Sequence, residues 1–74
     1  MKTVELDNRG LPPPEPMVRI LSALSELGED AELVVLMDRD PVLLYPELDR
    51  RGFTAALRPD QEWFVLTIRR QTPA

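Results

Sequence analysis

The run Asp38-Arg39-Asp40-Pro41 sets two carboxylates two positions apart, with Glu15 as a third acidic candidate and Arg9 and Arg39 as cations beside them. Carboxylate oxygens of this kind suit a hard cation such as Mg²⁺ or Ca²⁺. Arg9 also stands just ahead of the collar Pro12-Pro13-Pro14-Glu15-Pro16. If that collar opens a helix, the helix N-terminus attracts small anions. Each reading has a plainer rival. Proline nitrogens donate nothing, so Pro12, Pro13, Pro14 and Pro16 leave few amides to cradle an oxyanion. The collar then acts as a stiff lead-in that lowers the entropy cost of folding. Asp40 equally suits a helix cap, and Arg39 or Arg9 a surface ion pair of small energetic weight. Paired-carboxylate hydrolysis needs one carboxyl held neutral in an apolar pocket, and nothing in the sequence builds such a pocket around these residues.

The chain lacks both Cys and His. That excludes disulfides, thiolate nucleophiles, the usual Zn sites and imidazole acid–base chemistry. Ser22 and Ser25 fall on the outer side of a helical stretch, and no base in the chain can activate them. No catalytic residue is assigned, no cofactor is implied, and the expectation is a protein that is not an enzyme. Net charge is −4, with one Lys and eight Arg scattered rather than grouped, which argues against gripping nucleic acid. The first residues interleave charge with apolar side chains, unlike a secretion signal. No apolar run approaches the roughly 20 residues of a bilayer span, so a cytoplasmic protein with no membrane partner is expected.

Seventy-four residues suffice for one domain, expected over residues 1–70 with a disordered tail at 71–74. A chain this short buries only roughly 60% of its unfolded surface, so its core must be compact. Thr3 to Asp7 alternates as a half-buried strand, and Gly10 suits the break after it. The prolines should run extended, because a residue before proline avoids the α region. A helix is predicted from Pro14, with Met17, Ile20, Leu21, Leu24 and Leu27 on one face and Gly28 just past its end. Glu32 to Asp38 is apolar on both sides and belongs in the middle of a sheet. Asp40 is the expected N-cap of a second helix starting at Pro41, with Val42, Leu44, Tyr45 and Leu48 buried and Gly52 closing it. Pro46 inside that element predicts a kink or a delayed start. Phe53–Arg58 and Glu62–Arg70 read as a hairpin about a tight turn at 59–61. The order βαβαββ gives a two-layer α/β sandwich, a four-stranded mixed sheet with both helices on one face and the first two strands parallel.

The sequence Leu6-Asp7-Asn8-Arg9-Gly10-Leu11, the Pro13-Pro14-Glu15-Pro16 that follows, and the stretch from Glu32-Leu-Val-Val-Leu through Asp38-Arg39-Asp40-Pro41 to Gly52-Phe53 together resemble the TusA/SirA-like sulfur-carrier family. The resemblance spans nearly the whole chain and implies strand order 1-2-4-3. In the sulfur carriers a Cys-Pro-x-Pro motif holds a persulfide. Pro13 occupies the position of that Cys, so the sulfur-carrying activity does not transfer. The Leu-Pro-Pro-Pro-Glu form is similar to an uncharacterised Cys-less branch, some of whose members accompany hemerythrin-like and denitrification proteins. An accessory role in bacterial redox or respiratory metabolism is what that resemblance implies.

Alternation within the central strands places Leu33, Val35, Met37, Phe64, Leu66 and Ile68 toward the helices. Val34, Leu36, Ala56, Trp63 and Val65 then point to the uncovered side. An apolar open face with Trp63 as anchor is the expected docking surface for another protein or a second copy. Its rival is a small patch shielded by the stems of Arg58, Glu62 and Arg69. The alternative function is a small-anion or metal-ion domain using Arg9, Glu15, Asp38, Arg39 and Asp40.

Overall fold

The computed structural model describes residues 2–71. Six elements follow in the expected order: β1 (Lys2–Asp7), α1 (Glu15–Ser25), β2 (Ala31–Met37), α2 (Leu44–Arg50), β3 (Phe53–Asp60) and β4 (Trp63–Arg70). The sheet runs β1-β2-β4-β3, with β1 parallel to β2 and the other pairings antiparallel. This is the βαβαββ sandwich, and its strand order is the one the resemblance implies. The register puts Leu33 between Val4 and Ile68, and Val35 between Leu6 and Leu66, all on the helix-covered side. Ile20 and Leu24 of α1, Leu27 after it, and Leu44 and Leu48 of α2 close over that side to form one core.

Several boundaries differ from expectation, each for a local reason. The collar does not run straight: the Glu15 amide donates to the Pro12 carbonyl (3.1 Å) and closes a turn, and the Pro13–Pro14 peptide is cis. Pro14 is the N-cap and Pro16 sits in the first turn, where a missing N–H has no intrahelical partner to lose. At its other end α1 stops at Ser25. The Glu26 and Leu27 amides turn back to the carbonyls of Ala23 and Leu24 (both 3.2 Å). That tightening ends the helix before Gly28, which has no positive φ.

α2 begins at Leu44, with Leu43 at the cap and no side chain capping it. Asp40 is therefore not its N-cap and Pro41 is not its first residue. Residues 40–44 instead form short turns, Val42 N–H to the Asp40 carbonyl and Leu44 N–H to the Pro41 carbonyl (both 2.9 Å). The delayed start leaves Pro46 third in the helix, where it breaks no hydrogen bond. It also leaves Val42, expected in the core, 63% exposed, beside Leu43 at 80%. Gly52 takes φ +82 directly after the C-cap Arg51, as a helix-closing glycine should. β3 extends through Pro59 to Asp60, which is tolerated because β3 is an edge strand. The hairpin loop is Gln61-Glu62, with Gln61 at φ 60, the first central position where a type II′ turn demands positive φ. Gln71, expected in the tail, holds Gly52 through its amide (2.8 Å), while residues 72–74 lie outside those described.

Asn8 is the buried polar residue that periodicity does not single out. It is fully enclosed; its amide donates to the Leu36 carbonyl (2.9 Å) and its Nδ2 to the Pro16 carbonyl (3.0 Å). One side chain thus fastens the end of β1 to the first turn of α1 and fixes the collar between them. Asn8→Ala removes this clasp and is expected to cost about 1 kcal/mol, the usual net worth of one hydrogen bond, because the Pro16 carbonyl is only partly buried and the enclosed Asn8 Oδ1 has no partner to lose. Urea unfolding checks this, and an unchanged midpoint would show the clamp to be dispensable.

Candidate functional site

The collar and the segment after β2 meet at one end of the sheet and enclose a groove of about 430 Å³. Pro13, Pro14, Pro16 and Met17 form one wall, Pro41 to Leu44 the other, and Ile20 and Met37 the floor. Its charged residues are Asp38, Arg39 and Asp40. The lip is Val42 and Leu43, the two exposed side chains the shortened α2 leaves behind. Volume and apolar lining fall in the range of ordinary ligand sites. Pro13 lies in its wall.

The residues proposed to bind ions or anions are for the most part occupied by the fold. Asp38 Oδ2 accepts the Gly10 amide at 2.8 Å, and its Oδ1 lies 3.5 Å from Arg39 Nε. The Gly10 bond, then the Arg39 charge, hold the Asp38 carboxyl below the usual range. Gly10 sits at φ +78 to make this bond, so the pair ties the end of β2 to the start of the collar. Asp40 Oδ1 accepts the Tyr45 hydroxyl at 2.9 Å. Glu15 is exposed at the first position of α1, and among the described residues no three acidic side chains gather closely enough to hold a metal ion. The anion reading fares similarly. In the first turn the Glu15 and Val18 amides bond the Pro12 and Pro14 carbonyls and Pro16 has no N–H, so at most the Met17 amide is left.

Arg9 points away from the collar. It grips Asp7 through Nε (2.9 Å) and Nη2 (2.8 Å), and its guanidinium lies 5.2 Å from the centre of the Trp63 ring. The Arg9 hydrogen bonds draw the Asp7 carboxyl down to about 2. This places Arg9 over the open sheet face. That face is smaller than its sequence suggests: Val65 is 6% exposed, Val34 and Leu36 are half-buried, and Trp63 keeps 36%. Arg69 bridges to Glu32 at 2.7 Å across the same side. Of the four residues proposed for partner contact, Trp63 is therefore the most available and Val65 the least.

Burial, reinforced by the Asp40 hydrogen bond, pushes the Tyr45 phenol up to about 12. The neutral phenol is the form favoured by folding. Its contribution is complete below pH 10 and is lost as pH rises through about 12. Because the chain has a single Tyr, phenolate absorbance follows it alone. The midpoint should fall toward 10 in Asp40→Ala, and an unmoved midpoint would remove Asp40 as a cause.

The structure brings Asp38, Arg39 and Asp40 together at the groove, leaves Glu15 outside its lining and turns Arg9 away from it. Val42, expected in the core, stands instead at the lip beside Leu43. The available signal was Pro46, which already pointed to a late helix start. Residues 5–70 match the model of a family described as an uncharacterized conserved protein, DUF2249. No curated protein and no solved structure matches the chain.

Proposed function

The chain belongs to the DUF2249 family, and we propose that it works as a non-catalytic, TusA-like interaction module that holds a partner protein in the collar groove. The observation that carries this reading is the groove itself: about 430 Å³, apolar, and edged by Val42 and Leu43, 63% and 80% exposed. Exposed aliphatic pairs at the mouth of an apolar recess lose water on docking and gain little while free. With no Cys and no His in the chain, the same recess has no thiol or imidazole, and the Asp38 and Asp40 carboxylates in its lining already hold the Gly10 amide and the Tyr45 hydroxyl. The kinship to sulfur carriers is supported by the strand order and by Pro13 at the turn before α1. An accessory role in bacterial redox or respiratory metabolism rests on the resemblance alone.

The open face around Trp63 is a second docking reading, supported by that residue's remaining exposure. It is the weaker one because Arg9 and the Arg69–Glu32 pair already lie across much of the face. The ion-binding alternative has less support, since Asp38, Asp40 and Arg9 hold structural partners. Parallel affinity columns of wild type, Leu43→Glu and Trp63→Lys separate the docking readings. A protein from the source cells that is retained by wild type and Trp63→Lys but not by Leu43→Glu supports the groove. The reverse pattern overturns it in favour of the sheet face.

A further inference from the structure

We infer that the groove is shaped for an amphipathic helix of a second protein, apolar along one side and basic at its flanks. The inference rests on the groove being the docking site and adds what docks there. Proline backbones make up much of its walls: Pro13, Pro14, Pro16 and Pro41 have no N–H to offer. The Val42 and Leu44 amides are already bonded to the carbonyls of Asp40 and Pro41. An extended peptide laid here would lose water from its carbonyls and find few donors in return, which is costly for each group left unpaired. A helix arrives with its backbone satisfied internally and needs only side-chain contact. Polyproline ligands favour aromatic-lined grooves, and this one is lined by aliphatic side chains and prolines.

Charge selects the flanks. Asp38 and Asp40 at the rim set two carboxylates against the single Arg39, on a chain of net charge −4. Basic residues beside the apolar stripe complement that rim. A second copy of this chain would bring the same acidic rim and the same net charge.

The test titrates the full-length protein, followed by its amide resonances, with three synthetic peptides of about 14 residues. The first carries Leu at helical spacing with Lys and Arg flanks. The second replaces those flanks by Glu. The third keeps the basic flanks but has a central Pro. The first is expected to shift Met17, Val42 and Leu43 and to bind at least about tenfold more tightly than either of the others at low salt. Equal binding of the Pro peptide would make the occupant extended, and equal binding of the acidic peptide would remove the charge argument. Either result overturns this inference and leaves groove docking standing. Failure of all three peptides to move the groove amides overturns both. Sedimentation of the protein alone covers the remaining occupant: a dimer lost in Leu43→Glu would assign the groove to a second copy and overturn the inference.

Discussion

Leu66→Ala should cost roughly 3–5 kcal/mol, toward the upper part of the range for emptying a buried leucine. Leu66 is fully buried on β4, an interior strand of the sheet, opposite Val35 on one neighbour and Leu57 on the other. β4 is paired with β2 on one side and β3 on the other, so the surroundings cannot collapse into the space vacated. A domain of this length has a total stability of roughly 4–11 kcal/mol at ordinary per-residue values, and the variant should therefore populate the unfolded state measurably even without denaturant. The urea midpoint should drop by about 3 M with the slope unchanged. A drop of less than about 1 M would mean that the core relaxes far more than the sheet allows.

Leu43→Glu should do the opposite: leave the fold alone and remove binding. Leu43 is the N-cap of α2 and is 80% exposed, so stability should stay within about 0.5 kcal/mol. A carboxylate at the start of a helix is not unfavourable there. In the groove it places a charge where a partner must give up water, and it adds to the acidic rim. The loss expected is about 30-fold or more in affinity, or about 2 kcal/mol, the scale of a binding hot spot. Titration calorimetry with the basic amphipathic peptide measures it. Retained affinity together with an unchanged urea midpoint would place docking elsewhere.

The architecture was legible because the patterns behind it are long and redundant. β2 alternates buried and half-buried over its whole length, and α1 repeats apolar residues through Leu24, so element type and order follow from period alone. What period cannot see is local competition. The collar bends because the Glu15 amide finds the Pro12 carbonyl, a contact that depends on turn geometry and not on hydrophobicity. Asp40 has the residue type of a cap but bonds Tyr45 instead. Val42 has the residue type of core but stands outside, since Pro41 and Pro46 together shift the helix start past it. Asn8 reads as a loop breaker, and its burial comes from reaching a carbonyl eight residues away. On the open face, alternation assigned the sides correctly but overstated the surface offered, because Arg9 crosses to Trp63 and Glu32 pairs with Arg69 over a long sequence separation. The sequence singled out the collar and the Asp38–Pro41 segment, while the apolar groove between them comes from a loop conformation that period does not show.

The measurement closest to the central claim maps the amide and indole resonances of wild-type protein in complex with the cellular protein that its affinity column retains. Changes concentrated at Met17, Val42 and Leu43, with the Trp63 indole signal in place, are the predicted result. Changes centred on Trp63 and Val34, with the groove silent, would contradict it.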